Sequence, residues 1–374
     1  MAFHESVVLY ADEAPVSGVA VPRTNERYRN PRLALETRDI RRPGLGEALI
    51  RPIFAGICGT DLHLVTPNAQ TGYVQSSAPA LIPPTGRIVG HEGVGEVEAV
   101  GDGVSHVRAG DRVALESIAA CGECDTCRRG APNQCRSARL LGLESDGLFA
   151  GRAVVPARLC RPIGRLGESA DGLRAAALLE PAAVAFLAGV NSRIAAGDRV
   201  LVFGGGPIGM LMAMMARELF GARRVHLVEP VPFRRKLAAT IADETFSVDA
   251  FEGVSGSYDV LIDASGALDS VAATLPRIDA GGRVCLLARS GVPFHIEAVD
   301  HLLTNNITLL GSRGHLGGIF EKLVALLDEG RLPLTRIITS EVSGLQRLKE
   351  VLENPAIVTE ENCKVLCALP GAPS

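Results

Sequence analysis

Apolar residues along this chain follow two different periods, and the change falls near residue 175. Before it, apolar and polar positions alternate in short runs broken by glycine and proline. Leu33 to Gly56 alternates around a turn at Pro43, Gly44 and Gly46, which predicts short strands. Val89 to Val100 (VGHEGVGEVEAV) reads as a further strand, and the turn Ala109-Gly110-Asp111 leads into RVAL. Residues 1–30 read as irregular, because Pro, Gly, Asn and Arg interrupt the apolar pieces. Residues 64–86 read as a Pro-rich loop, and a loop of that length is often functional.

After the change the units are longer. Leu173 to Leu187 predicts a helix, apart from Pro181. Strands at 200–205, 224–229, 259–266 and 283–288 then alternate with helices at 207–220, 232–242 and 268–276. A strand at 307–312 and a helix from Gly318 to Glu329 follow. Such alternation predicts a doubly wound parallel sheet behind a mostly-β first part, hence an α/β protein. The expected division is 1–186 for a first, catalytic domain, 187–325 for the parallel-sheet domain, and 326–374 for a return to the first.

Composition narrows the picture. The 374 residues are 47% hydrophobic, enough for two cores. Acids and bases number 42 and 38, for a net charge of −4, so neither nucleic acid nor an anionic membrane is an expected partner. No apolar run reaches membrane-spanning length, and no basic stretch leads into an apolar one at the start of the chain. A cytoplasmic setting is expected, and there the C-x2-C spacing among the nine cysteines reads as metal binding rather than disulfides, with Cys160 and Cys285 structural and Cys363 and Cys367 free thiols.

Four of those cysteines, Cys121, Cys124, Cys127 and Cys135, follow C-x2-C-x2-C-x7-C. Four thiolates fill the tetrahedral shell of a structural zinc ion. Farther upstream, Cys58 lies in GICGTD, and His91 and Glu92 lie in GHE. A thiolate, an imidazole and a carboxylate suit a catalytic zinc ion that keeps one position open. Taken singly, Cys58 could be a small buried apolar residue and His91 a hydrogen-bonded core histidine. Gly204-Gly205-Gly206-Pro207-Ile208-Gly209 fits G-x-G-x-x-G between a strand and a helix. In that context Gly204 makes the turn, Gly206 admits a pyrophosphate, Gly209 permits close packing, and the helix N-terminus faces the phosphates. Glu229 ends the next strand, where an acid accepts from ribose hydroxyls and disfavours a 2′-phosphate. That points to NAD over NADP, although Arg234 and Arg235 stand nearby.

These motifs together resemble the zinc-dependent medium-chain alcohol dehydrogenases. GICGTDLH, GHEGVGEVEAVG, GDRV, the cysteine lobe, LEPAAVA and GGGPIG occur in that family's order over about residues 58–330. The resemblance implies a GroES-like catalytic domain joined to a Rossmann domain, two zinc ions per chain, NAD, and a homo-oligomer, dimeric or tetrameric. It implies that Cys58 and His91 bind the catalytic zinc, that Thr60 contacts the substrate oxygen, that Asp61 orients a ligand, and that His63 passes the proton to solvent. Glu180, in LLEPAAVAF, stands where ethanol-type members have a cysteine, which is closer to the sorbitol, threonine and sugar dehydrogenase branch. Glu92 and Glu180 both remain candidates for the third ligand. For Glu180 the simple alternative is an acid placed at a helix N-terminus. The expected reaction is hydride transfer from a secondary alcohol of a polyol, sugar, cyclitol or amino alcohol to NAD. An NADP-preferring carbonyl reductase and a non-catalytic cofactor-binding relative stay open as alternatives.

Overall fold

The computed structural model describes residues 3–373. The chain forms two compact units. One runs through Glu180 and adds Leu316–Val358 and the stretch from Lys364 onward. The other comprises Pro181–His315 with Thr359–Cys363.

The first unit is built on strands. Of the stretch expected to be irregular, residues 3–13 and 28–30 are strand: β1 (Phe3–Glu13) pairs antiparallel with β2 (Tyr28–Asp39), and 14–27 forms the turn between them. The apolar run Val7-Val8-Leu9 is fully buried, and that burial outweighs the turn-forming residues on either side. The main sheet centres on β3 (Glu47–Gly56), which follows the turn at Gly44 and Gly46. Pro52 is tolerated in this central strand because the pairing with the next strand shifts register between Pro52 and Phe54. A short helix, α1 (Gly59–Val65), follows β3, and then comes a connection to β4 (Arg87–Ile88). β5 (Glu92–Val100) pairs with β3, and β6 (Arg112–Leu115) with β5. On its other side β3 receives the strand Lys364–Ala368, which is itself flanked by the edge strand Ile338–Ser343. Ile50, Val97, Val113, Phe149 and Val365 form part of the core.

The second unit holds six parallel strands. In spatial order they are Glu244–Phe246, Arg224–Val228, Arg199–Phe203, Tyr258–Asp263, Ile278–Leu286 and Thr308–Gly311. Winding reverses between Arg199–Phe203 and Tyr258–Asp263, the point where open parallel sheets take ligands at their carboxyl ends. Val200, Leu201 and Val202 are all fully buried, as expected of a central strand covered on both faces. The Glu244–Phe246 strand is too short to give a periodic signal. The helix expected over 173–187 is two, Ala170–Ala176 and Leu179–Asn191. Pro181 falls in the first turn of the second, where its missing N–H costs no hydrogen bond. No single helix among the described residues is long and apolar enough to cross a membrane.

Arg199 ties three strand starts together. Its guanidinium donates to both oxygens of Asp259, at 2.9 and 3.0 Å, and to Asp279, which also accepts from Ser257. The Arg199 hydrogen bonds hold both carboxyls below the usual range. Carboxyls depressed in the folded state add stability above their unfolded pKa and lose it as pH falls through the folded value. Arg199→Met should therefore lower unfolding free energy by roughly 1 kcal/mol at pH 7, a modest figure because the groups are partly exposed. The difference between the two proteins should shrink below about pH 4. Urea unfolding of both at neutral and acid pH checks this, and an undiminished gap at acid pH would contradict it.

Candidate active site

The four cysteines of the lobe converge. Sulfur separations are 4.0 Å for Cys121–Cys127, 3.5 Å for Cys124–Cys127, 3.8 Å for Cys124–Cys135 and 3.5 Å for Cys121–Cys135. A zinc tetrahedron with bonds of about 2.3 Å has edges of about 3.8 Å. These spacings fit that ion and exclude disulfides, whose sulfurs are about 2.05 Å apart. All nine cysteines are free thiols. Backbone amides of Cys121 and Cys124 point at the sulfurs of Cys135 and Cys121, each at 3.4 Å, as thiolates require.

A second cluster forms at the ends of two strands. Cys58 follows the end of β3 and caps the start of α1, and His91 and Glu92 open β5. Ligand atoms of Cys58, His91 and Glu92 all lie within 4.8 Å of one another. β3 and β5 are paired so that Gly56 faces Glu92, which brings the two turns side by side. Asp61, on α1, accepts the amide of Cys58 at 3.0 Å, and its other oxygen stands 3.3 Å from His91 Nδ1. That leaves His91 Nε2, 4.0 Å from a Glu92 oxygen, to face a metal. A carboxylate beside the far nitrogen is what orients a ligating imidazole. His91 and Asp61 are both buried, and a buried set of this kind fits a divalent cation with nitrogen, sulfur and oxygen donors.

The charges of the cluster are compensated unevenly. Burial and the charge of Glu92 raise the pKa of Cys58. Burial opposes the charge of His91, but Asp61 and Cys58 more than offset it, so its pKa lies well above the ordinary value. Glu180, in the first turn of Leu179–Asn191, is buried and pushed up to about 7, first by burial and then by Glu92. It accepts a 2.6 Å hydrogen bond from the neutral hydroxyl of Ser117. Glu180 lies outside the tight trio of Cys58, His91 and Glu92.

Sequence reasoning missed two residues here. Lys364 is fully buried; its ammonium pairs with Glu92 and donates to the carbonyl of Ile57 at 2.9 Å. Gly56 makes room for it, since a Cβ there would stand 2.8 Å from the lysine chain and 2.9 Å from the Glu92 carboxylate. Ser117 is the other. Neither lies in a motif, and only strand pairing brings them near.

Thr60 and His63 are three residues apart on α1 and share a face of it. Thr60 is half-buried and His63 exposed, although its ring is desolvated enough to lower its pKa.

In the second unit the glycine loop caps the helix Pro207–Glu218 at the switch point. Gly204 has φ +97°, and a Cβ on Gly209 would strike the carbonyl of Gly204 at 1.8 Å, so both positions demand glycine. By contrast the space beside Gly206 is open, with only the Arg234 guanidinium at 3.9 Å, so this turn can admit a phosphate. Pro207 and Ile208 form the first helical turn and are half-buried. Glu229 lies against Gly205, accepting its amide at 2.6 Å and that of Val231 at 2.7 Å. Arg234 also donates to the carbonyl of Asn362 at 2.9 Å.

Comparison with known proteins agrees with this layout. Residues 44–165 match the alcohol dehydrogenase GroES-like domain, and residues 207–329 match the zinc-binding dehydrogenase domain. The chain is 34% identical to L-threonine 3-dehydrogenase of Pyrococcus abyssi over 348 residues, covering 90% of this chain and 94% of the other. It is 30% identical to 2-dehydro-3-deoxy-L-galactonate 5-dehydrogenase of Pseudoalteromonas atlantica over 321 residues, covering 83% and 89%. A Sinorhizobium meliloti protein assigned as a zinc-binding dehydrogenase and solved with NADP superposes with a TM-score of 0.80 at 26% identity, covering 98% of this chain and 100% of that one. The chain belongs to the zinc-dependent medium-chain alcohol dehydrogenase family and is an NAD(P)-dependent oxidoreductase acting on the CH–OH group of an alcohol.

Proposed function

We propose that this protein oxidises a secondary alcohol of a small polar substrate (a polyol, sugar, cyclitol or amino alcohol) with NAD, using one catalytic and one structural zinc ion. The observation that carries the reading is the meeting of Cys58, His91 and Glu92 beside Glu180 in one buried cluster. The relatives that act on L-threonine and on a sugar acid support a polar substrate. Zinc in that cluster would act as a Lewis acid on the substrate oxygen, and the nicotinamide would accept the hydride.

The remaining chemistry belongs to side chains. Thr60 would take the hydroxyl proton, and His63, one turn along and open to solvent, would carry it away. Its lowered pKa keeps the ring neutral near pH 7 and able to accept. Asp61 would hold His91 in orientation. Lys364 is paired directly with Glu92, whereas the hydrogen bond to Glu180 comes from the hydroxyl of Ser117, with His91 and Lys364 acting on it only through their charge. That contrast supports Glu180 as the carboxylate that completes the metal's ligands. The glycine loop with Gly206 and Arg234 would hold the pyrophosphate, and Glu229 the adenosine ribose. Arg234 beside the loop, together with the NADP-bound relative, favours NADP as the second reading.

A panel of polyols, cyclitols and amino alcohols, L-threonine among them, should reveal an alcohol that yields NADH. No turnover with any secondary alcohol and either dinucleotide would defeat the reading.

Metal analysis should find two zinc ions per chain. Cys58→Ser should lose one ion and nearly all turnover while remaining folded, whereas Cys124→Ser should lower stability, since a structural site contributes folding energy directly. Full metal content and turnover in Cys58→Ser would refute the catalytic assignment. Glu180→Gln should lower turnover at least tenfold with NAD affinity little changed. Near-parental turnover would reduce Glu180 to a helix N-terminal acid, worth about 0.3–1 kcal/mol of stability.

Glu229→Ser should weaken kcat/KM for NAD about tenfold and leave NADP equal or improved, because the mutation removes a carboxylate that would face the 2′-phosphate. An equal loss with both dinucleotides would mean that Glu229 only braces Gly205.

A further inference from the structure

The N-terminal hairpin holds the long connection between α1 and β4 at several points. Thr24, in the turn between β1 and β2, uses its hydroxyl twice. It donates to the carbonyl of Ala78 at 2.5 Å and accepts the amide of Ala80 at 3.1 Å. Tyr28 also contributes twice: its carbonyl accepts the amide of Val74 at 3.0 Å, and its phenol oxygen accepts the amide of Ile82 at 3.2 Å. Tyr73 reaches back to the carbonyl of Ala14 at 2.6 Å, and the Asn30 amide donates to Gly72 at 3.0 Å. Thr24 and Tyr28 are 5% and 0% exposed, so water cannot replace these bonds cheaply.

The other flank of the same segment rests on the site. Amides of Gln75 and Ser76 both donate to the carbonyl of His63, at 2.9 and 3.0 Å. His63 lies in the last turn of α1, whose first turn carries Thr60 and Asp61. β1 also pairs with β4, Val8 opposite Ile88, three residues before His91. The hairpin therefore braces the chain on both approaches to the metal cluster, through α1 on one side and β4 on the other.

We propose that Thr24 and Tyr28 are positioning residues: they fix residues 72–82 as a rigid wall against α1, and that wall sets which ligands reach the metal cluster. The inference rests on the zinc reading above but adds to it a determinant of specificity outside the family's motifs. A connection of this length left unclamped would sample many conformations, and the ordering entropy would fall on substrate binding. With the clamp, the ordering is already complete in the free protein.

The test uses the zinc-loaded, NAD-saturated protein and two zinc-ligating probes of different bulk, imidazole and 4-phenylimidazole. Parent, Thr24→Val, Thr24→Ser and Tyr28→Phe are compared by hydrogen exchange over residues 72–82, by zinc content, and by the ratio of the two dissociation constants. Thr24→Val strands the buried carbonyl of Ala78 and the half-buried amide of Ala80. It should raise exchange in the segment about tenfold, keep both zinc ions, and change the ratio about tenfold toward the bulkier probe. Tyr28→Phe should act in the same direction, and Thr24→Ser should stay with the parent because the hydroxyl is kept. Unchanged exchange, or faster exchange with an unchanged ratio, overturns the proposal. Cys58→Ser tests the metal reading separately: if it still binds both probes, the zinc assignment fails, whatever the clamp does.

Discussion

Lys364 is a fully buried cation, and the geometry of the cluster of Cys58, His91 and Glu92 depends on its pairing with Glu92. Cys58, Asp61, Glu92 and Glu180 crowd potential negative charge around His91 at the end of a sheet. Desolvated carboxylates without a cation would neutralise themselves by taking up protons. Lys364 supplies one positive charge to Glu92, 272 residues away in sequence, and spends a second hydrogen bond on the carbonyl of Ile57, next to Cys58. Removing one partner of a buried pair typically costs about 3–5 kcal/mol, because the other is left charged and dry. The placement of the C-terminal strand against β3 is thus electrostatic as well as apolar. It also explains why the chain returns to its first unit: that unit is incomplete without the strand Lys364–Ala368.

Gly56 shows how tightly backbone and charge are coupled there. It sits between Glu92 on one neighbouring strand and Leu366 on the other. Only a residue without a Cβ leaves space for the lysine chain and the carboxylate to meet above it. The cofactor turn obeys a similar rule by a different route. Gly204 supplies a left-handed turn, Gly209 lets the helix approach, and Glu229 pins the backbone between them. In both places a small residue allows an approach that a charged residue then holds.

The hairpin at the start of the chain extends the same logic to the loop. Thr24 and Tyr28 satisfy backbone groups that would otherwise need water, so a Pro-rich connection becomes ordered without forming regular structure. Order of that kind costs conformational entropy during folding rather than during binding. It places the exposed side of His63 next to a fixed surface, which suits a residue expected to exchange protons with solvent.

Local signals carried much of this protein. The strand–glycine loop–helix unit at 200–220 was legible because period, turn chemistry and the acid at 229 coincide within thirty residues. The cysteine lobe was legible because its four thiols are near neighbours in sequence, and the cluster of Cys58, His91 and Glu92 because each lies in a recognisable run. The hairpin at residues 3–39 was not: its turn-forming residues suggested irregular structure up to residue 30, and the burial of Val7, Val8 and Leu9 became visible only once a partner strand existed. Lys364 and Ser117 left no trace in the sequence either, since an isolated lysine or serine reads as surface or turn, and Gly56, although it opens the GICGTD run, gave no sign of the pair it makes room for. Their roles arise from strand pairing between distant segments, which decides who neighbours whom and therefore which charges are compensated. Sequence by itself determined the candidate metal-binding groups and the glycine turn, because those follow from local chemistry. Tertiary structure alone decided which carboxylate faces a lysine and which faces a hydroxyl, because compensation of buried charge is a property of neighbours in space.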